Sequence, residues 1–235
     1  MVAHRILFVL TSHSRIGDTG KPTGVWLEEL AEPYWMLRDA GAEVTLASIR
    51  GGQVPVDPGS VAEPGRNAAP VDRFLADPAT MAELSGTVAV EGLRAGDFDA
   101  VFLPGGHGTM WDLPESRALA GLLSDAWAGG RVVAAVCHGP AGLVNARTPD
   151  GAPLVRGRRV AAFTDAEEEA AGLAQAVPFL LETRLRELGA ELVTVPNWQP
   201  NAVRDGALVT GQNPASSAGV ARLMLETLGA GGTGG

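Results

Sequence analysis

Short unbroken apolar runs alternate along this chain with longer stretches in which apolar residues return every third or fourth position. The runs at 6–10, 100–103 and 132–136 have no polar face, as expected of strands buried on both sides of a parallel sheet. Further strands are expected at 43–48, 159–163, 191–195 and 207–210, with Asp205-Gly206 as a turn between short late strands. The amphipathic stretches predict helices over 25–40, 115–128, 177–188 and 215–228, and a weaker one over 72–84 broken at Pro78. Strand and helix in alternation make an α/β fold. It is a doubly wound, mostly parallel sheet sandwiched by helices, a single domain over 1–229. Residues 51–70 form an irregular Gly-, Pro- and Asp-rich excursion within it, read as a lid or pocket wall because no separate core follows. The glycine-dominated segment 230–235 is expected to be a flexible tail.

The first helix shows what periodicity can and cannot say. Thr23 or Gly24 can cap it, and Trp26, Leu30, Tyr34 and Leu37 make its apolar face. Glu28, Glu32 and Asp39 project opposite that face, but Glu29 lies about 60° from Trp26 at about 100° per residue, on the flank of the buried stripe. A carboxylate there is either a rim charge or a buried acid with a raised pKa. Pro33 should kink the helix.

The run 132–136 leads directly into Cys137-His138-Gly139-Pro140-Ala141. A strand turning sharply into a helix around a nucleophile is a nucleophile elbow, with Gly139 and Ala141 small enough for the turn and Pro140 suited to the first helical turn. Helix N-terminal amides there would favour a thiolate and lower the cysteine pKa. The competing reading is a cysteine packed as a small hydrophobe.

At the end of 100–103 stands Pro104-Gly105-Gly106-His107-Gly108. Glycines at the carboxyl edge of a parallel sheet let backbone N–H groups approach a ligand, and no phosphate-loop pattern is present. The Gly106 and His138 amides can then pair as an oxyanion hole. Farther on, Glu167, Glu168 and Glu169 read as a solvated helix start, of which one can turn inward to orient His138.

Charge and cysteine usage narrow the partners. With a net charge of −9 and no basic cluster, nucleic-acid binding is not expected. One cysteine rules out an internal disulfide and suits a reducing cytoplasm, and the 6–10 run is too short for a signal peptide or a membrane span. The four histidines and one cysteine show no zinc-ligand spacing, so no metal is expected.

Five segments together resemble the ThiJ/PfpI superfamily, with its class I glutamine amidotransferase-like (flavodoxin-like) fold. They are Thr23-Gly24-Val25-Trp26-Leu27-Glu28-Glu29 with Pro33, Leu103-Pro104-Gly105-Gly106-His107-Gly108, Ala135-Val136-Cys137-His138-Gly139-Pro140, Phe163-Thr164-Asp165-Ala166-Glu167-Glu168, and Thr210-Gly211-Gln212-Asn213-Pro214-Ala215-Ser216-Ser217. Asp57-Pro58-Gly59-Ser60 and the excursion around it favour the branch of heat-shock chaperone-like, glutathione-independent glyoxalases. The resemblance implies that Cys137 is the nucleophile and His138 its partner. It also implies that Glu29 is the helix carboxylate beside the sulfur, and that Glu168, or else Glu167, orients the histidine. Gly106 and His138 would supply the oxyanion hole, with Gly105, His107 and Trp111 as pocket candidates.

The implied activity is that of a cofactor-free lyase of the glyoxalase III type, detoxifying methylglyoxal to lactate through a Cys137 hemithioacetal in a cytoplasmic homodimer with a place in stress response. Glu29 would share its proton with a Cys137 thiolate as a coupled pair. Two alternatives use the same frame: an isonitrile hydratase, and a stress chaperone or cysteine redox sensor without turnover. A glutamine amidotransferase is excluded, because the downstream histidine of that triad has no counterpart after His138.

Overall fold

The computed structural model describes residues 3–231. Strand β1 (Arg5–Leu10) leads through a long loop to α1 (Leu27–Asp39) and β2 (Glu43–Ser48). Two short helices, α2 (Ala69–Ala76) and α3 (Pro78–Ser85), precede β3 (Val88–Ala89). Next come β4 (Ala100–Leu103), α4 (Thr109–Asp112), α5 (Arg117–Ala128) and β5 (Val132–Val136). Beyond the elbow lie β6 (Arg159–Val160), α6 (Asp165–Ala170), α7 (Leu181–Glu187) and β7 (Glu191–Leu192). The hairpin β8 (Ala202–Asp205) and β9 (Leu208–Gly211) then runs into α8 (Ser217–Gly231).

The main sheet has seven strands in the order β3-β2-β1-β4-β5-β9-β8, all parallel except β8 at the edge. Side chains alternate between two cores. Leu7, Val9, Val101, Leu103, Val133 and Ala135 face one side with α5 and α7, whereas Ile6, Phe8, Leu10, Phe102, Ala134 and Val136 face the other with α1 and α8. Burial on both faces is why these strands carry no polar positions. The chain leaves β1 toward β2 on one side and returns to β4 on the other, so the crevice at the carboxyl ends of β1 and β4 is the switch point where such sheets hold ligands.

Several expected elements are redrawn. The 159–163 strand is only Arg159–Val160, which pairs with β7 in a separate two-stranded sheet while the Ala161 N–H donates to Thr210 Oγ1. The 177–188 helix begins at Leu181, past Pro178, and the 115–128 helix begins at Arg117, where Ser116 caps the Leu119 amide. Strand β8, the partner of β9 across Asp205-Gly206, and the two-residue β3 are too short or too polar to show a period. Helix α1 starts at Leu27 without a side-chain cap. The Thr23 hydroxyl donates instead to Asp57, and at Gly24 a Cβ would meet the Pro55 carbonyl at 2.0 Å.

The 51–70 excursion is tied to the loop that precedes α1. The Val25 N–H donates to the Pro55 carbonyl and the Asp57 N–H to the Val25 carbonyl. Helix α8 continues to Gly231, into the segment expected to be a tail, and 232–235 lie outside the described residues. No helix among the described residues is long and apolar enough to cross a membrane.

Candidate active site

Three loops meet at the carboxyl edge of the sheet. Cys137, directly after β5, has φ of +59°, a left-handed conformation that is uncommon outside glycine. Its N–H donates to Gly211 and its carbonyl accepts from Phe163, so the turn is held from both sides. At Gly139 a Cβ would meet the Leu103 carbonyl at 2.1 Å, so this position must be glycine for the turn to close. The chain continues as a five-residue 3-10 turn, Gly139–Leu143, and not as the expected α-helix.

That difference reverses the expected cysteine chemistry. The short turn offers little helix dipole, and the sulfur is buried. Burial, followed by the charge and hydrogen bonding of Glu29, pushes the Cys137 thiol well up, against a smaller lowering by the His138 amide. The resting group is a thiol, not the thiolate expected from an elbow.

Glu29 sits on the first turn of α1 and is fully buried. Its Oε2 accepts the Gly105 N–H at 2.8 Å, which carries the helix flank to the β4 loop. Burial raises its pKa to about 8, offset in part by the neighbouring Cys137 thiol and the Gly105 N–H. With Oε2 taken by a donor, the proton belongs on Oε1, the oxygen with no other hydrogen-bond partner. Pro33, four residues on, cannot donate to the Glu29 carbonyl, yet α1 runs through it to Asp39.

The Cys137 sulfur lies 3.3 Å from His138 Nδ1, and His138 Nε2 lies 2.7 Å from Glu168 Oε2. Burial and then the neighbouring His107 lower the His138 pKa to about 4, so the ring is neutral. Burial would raise Glu168, but hydrogen bonds from His107 and His138 prevail and hold it at about 2. An ionised carboxylate only accepts, so His138 carries its hydrogen on Nε2 and turns a lone pair at Nδ1 to the sulfur. His107 Nε2 meets the other oxygen of Glu168 at 2.8 Å, and its ring lies 4.1 Å from that of His138.

Glu167 is occupied elsewhere. It forms a capping box with Thr164 and accepts from the Trp198 amide and the Asn213 side chain. Glu169 is exposed. Thus Glu168 is the acid that meets the histidine, and Glu167 ties together the loops around it.

These groups border a cavity of about 220 Å³. Glu29, Gly106, His107, Cys137 and His138 form its floor, and Trp26, Phe163, Ala171, Trp198 and Pro214 its apolar wall. The Gly106 N–H donates to no acceptor among the described residues, and the His138 amide faces the sulfur. Gly105 sits behind Glu29, where a Cβ would meet Oε2 at 2.5 Å. Trp111 is not part of the wall: it stacks on His13 at 5.0 Å. No residue of 51–70 lines the cavity either, and the excursion acts at one remove by holding the strap that precedes Trp26. A larger groove of about 470 Å³ beside α5 and α7 contains neither cysteine nor histidine. Trp198 and Phe163, which sequence reasoning left out of the pocket, approach each other at 5.6 Å.

The sequence profile of the DJ-1/PfpI family matches residues 23–227. The chain is 32% identical to the glutathione-independent glyoxalase HSP31 of Saccharomyces cerevisiae, over 97% of this chain and 99% of that protein. It is similar to the X-ray structure of Francisella tularensis Rapid Encystment Protein 24 kDa, at 34% identity and a TM-score of 0.91 over 96% of this chain and 99% of that one. The crystal structure of glyoxalase III from Candida albicans is 30% identical, with a TM-score of 0.85 over 95% of this chain and 97% of that one.

Proposed function

The chain belongs to the DJ-1/PfpI family, and we propose that within it the protein is a glutathione-independent glyoxalase, a lyase-type enzyme that converts methylglyoxal and related 2-oxoaldehydes to 2-hydroxy acids. Relatives of that name align along nearly the whole chain. The observation that carries the reading is a small, apolar-walled cavity whose floor holds a thiol, a neutral imidazole and a protonated carboxyl group together. Such a site suits a compact, uncharged electrophile, and neither lysine nor arginine is among its lining residues to bind a phosphate or carboxylate.

In this reading Cys137 attacks the aldehyde carbon as its proton passes to His138 Nδ1, and Glu168 stabilises the imidazolium that forms. The oxyanion is received by the Gly106 and His138 amides and takes up the proton, giving a hemithioacetal. Because Glu29 already holds its proton, His138 is the base for the hydrogen on the first carbon and returns it to the second. Water then releases the 2-hydroxy acid and restores the thiol. Glu29 donates from Oε1 to the charge that develops at the sulfur or the substrate oxygen.

A homodimer and a cytoplasmic setting accompany this reading, the first readable by light scattering. Among the described residues the exposed large apolar side chains are Val88, on an edge strand, and Trp198, at the cavity, so no observation favours a chaperone. The test is lactate formation from methylglyoxal without glutathione. Wild type should turn over, and Cys137→Ala should lose at least about 10³-fold. No lactate from wild type overturns the proposal, and isonitrile hydration in its place would reassign the substrate.

A further inference from the structure

The mechanism above leaves His107 without a task, although it lies on the cavity floor and shares Glu168 with His138. Both oxygens of Glu168 are engaged, each by the Nε2 of one histidine, at 2.8 and 2.7 Å. Since the carboxylate is an acceptor only, His107, like His138, presents an Nε2–H to it, and the neutral form of the ring then has its lone pair at Nδ1. For His138 that lone pair is directed at the sulfur. For His107 that nitrogen has no hydrogen-bond partner among the described residues and is not among their fully buried unpartnered atoms, and the residue lines the cavity. Two imidazoles are thus held side by side by one acid through Nε2, one with Nδ1 at the nucleophile and one with Nδ1 unpaired among the described residues.

The reaction has a need that fits the free one. Converting a hemithioacetal to a thioester moves one hydrogen between carbons and a second between oxygens. His138 serves the carbons, and no group has been assigned to carry a proton from one oxygen to the other. Resting on the glyoxalase reading, we infer that His107 is the second proton carrier of the site, passing a proton from the first-carbon oxygen to the second-carbon oxygen through Nδ1. When His138 removes the hydrogen of the first carbon, that bonding pair becomes the carbon–carbon double bond. The carbonyl pair moves onto the second oxygen. His107 Nδ1 accepts the proton of the first oxygen and delivers it to the second, which transfers the negative charge to the first. The first carbonyl then closes as His138 returns its proton to the second carbon. The step is an internal isomerisation, with no change in the number of protons or electrons. Neutral imidazole can perform this exchange because the nitrogen held by Glu168 keeps its hydrogen throughout.

His107→Gln separates this role from scaffolding, since the glutamine amide can still donate to Glu168 but has no basic nitrogen to take up and release a proton. Two quantities are measured: methylglyoxal turnover, and alkylation of the one cysteine by iodoacetamide, followed by intact mass. Turnover should fall by about 10²-fold while the alkylation rate stays within about twofold of wild type. Retained turnover overturns the inference, and so does a parallel fall in both quantities, which would leave His107 a role only in holding Glu168. His107→Ala supplies an independent measurement should the glutamine variant fail to fold. Added imidazole should restore its turnover at least about tenfold, and no recovery in the folded alanine variant overturns the inference. If wild type forms no lactate, the glyoxalase reading itself fails, whereas active wild type beside active His107→Gln sinks only the relay.

Discussion

Glu29→Gln tests the protonation state on which the site depends, and it can be read from stability alone. Burial raises the Glu29 pKa from 4.5 to about 8, so the folded protein keeps a proton that the unfolded chain releases. The sign follows. Below about pH 4.5 both states are protonated and Glu29 costs nothing, whereas stability is lost progressively as pH rises toward 8. At about 1.4 kcal/mol per pH unit, the loss is about 1 kcal/mol at pH 5 and about 3 kcal/mol at pH 7. Glutamine is close in shape to the protonated acid. Its oxygen can accept the Gly105 N–H, and its NH2 takes the place of the protonated Oε1. The variant does not titrate, so its stability relative to wild type should climb by about 2 kcal/mol between pH 5 and pH 7. Other shifted groups, Asp112 at about 6, His138 at about 4 and Glu168 at about 2, tilt both proteins alike. Urea unfolding of the two proteins across this range gives the difference directly. Any fixed cost of the amide moves the whole curve without changing its slope. A gap independent of pH, or one that runs against the variant as pH rises, would refute a protonated Glu29.

Two further substitutions probe the cavity. Gly105→Ala would force a Cβ against Glu29 Oε2, the Val136 carbonyl and the His138 nitrogen, all within 2.8 Å. It should cost about 1–3 kcal/mol in urea unfolding and about 10²-fold in turnover, since two of these neighbours, Glu29 and His138, belong to the site. Trp198→Gly removes part of the wall and relieves a non-glycine φ of +65°. The ratio of kcat/KM for phenylglyoxal over methylglyoxal should rise about tenfold, with stability changed by less than about 1 kcal/mol.

The central strands were legible because burial on both faces removes polar residues from them. The elbow was legible because Cys137 follows such a run directly. Strand β3 spans two residues, too few for any period to appear, whereas β6 and β7 fall where strands are expected but stop after two residues each. Glu29 shows the limit of helical projection. Its place on the flank can be calculated, but whether that flank meets solvent or the Gly105 amide depends on a loop 76 residues away. The cysteine chemistry was misjudged for the same reason, because desolvation and a neighbouring acid are tertiary facts. One signal was present and went unused: Thr164 and Glu167 have the spacing of a capping box, which commits Glu167 to the helix end and leaves Glu168 free for the histidines. Trp198, Phe163 and Pro214 come together from separate loops, and nothing local marks them as one wall.

The covered sulfur also bears on how long the enzyme lasts. An open thiolate is attacked by any passing peroxide and driven toward sulfinic and sulfonic acids, from which return is rare. Cys137 is only 4% exposed, and its proton leaves when a neighbouring ring accepts it. The idle protein therefore presents bystander oxidants with a sluggish target, and the arriving aldehyde itself calls forth the reactivity. A catalyst that works among damaging carbonyls thereby spares its single irreplaceable atom between one turnover and the next.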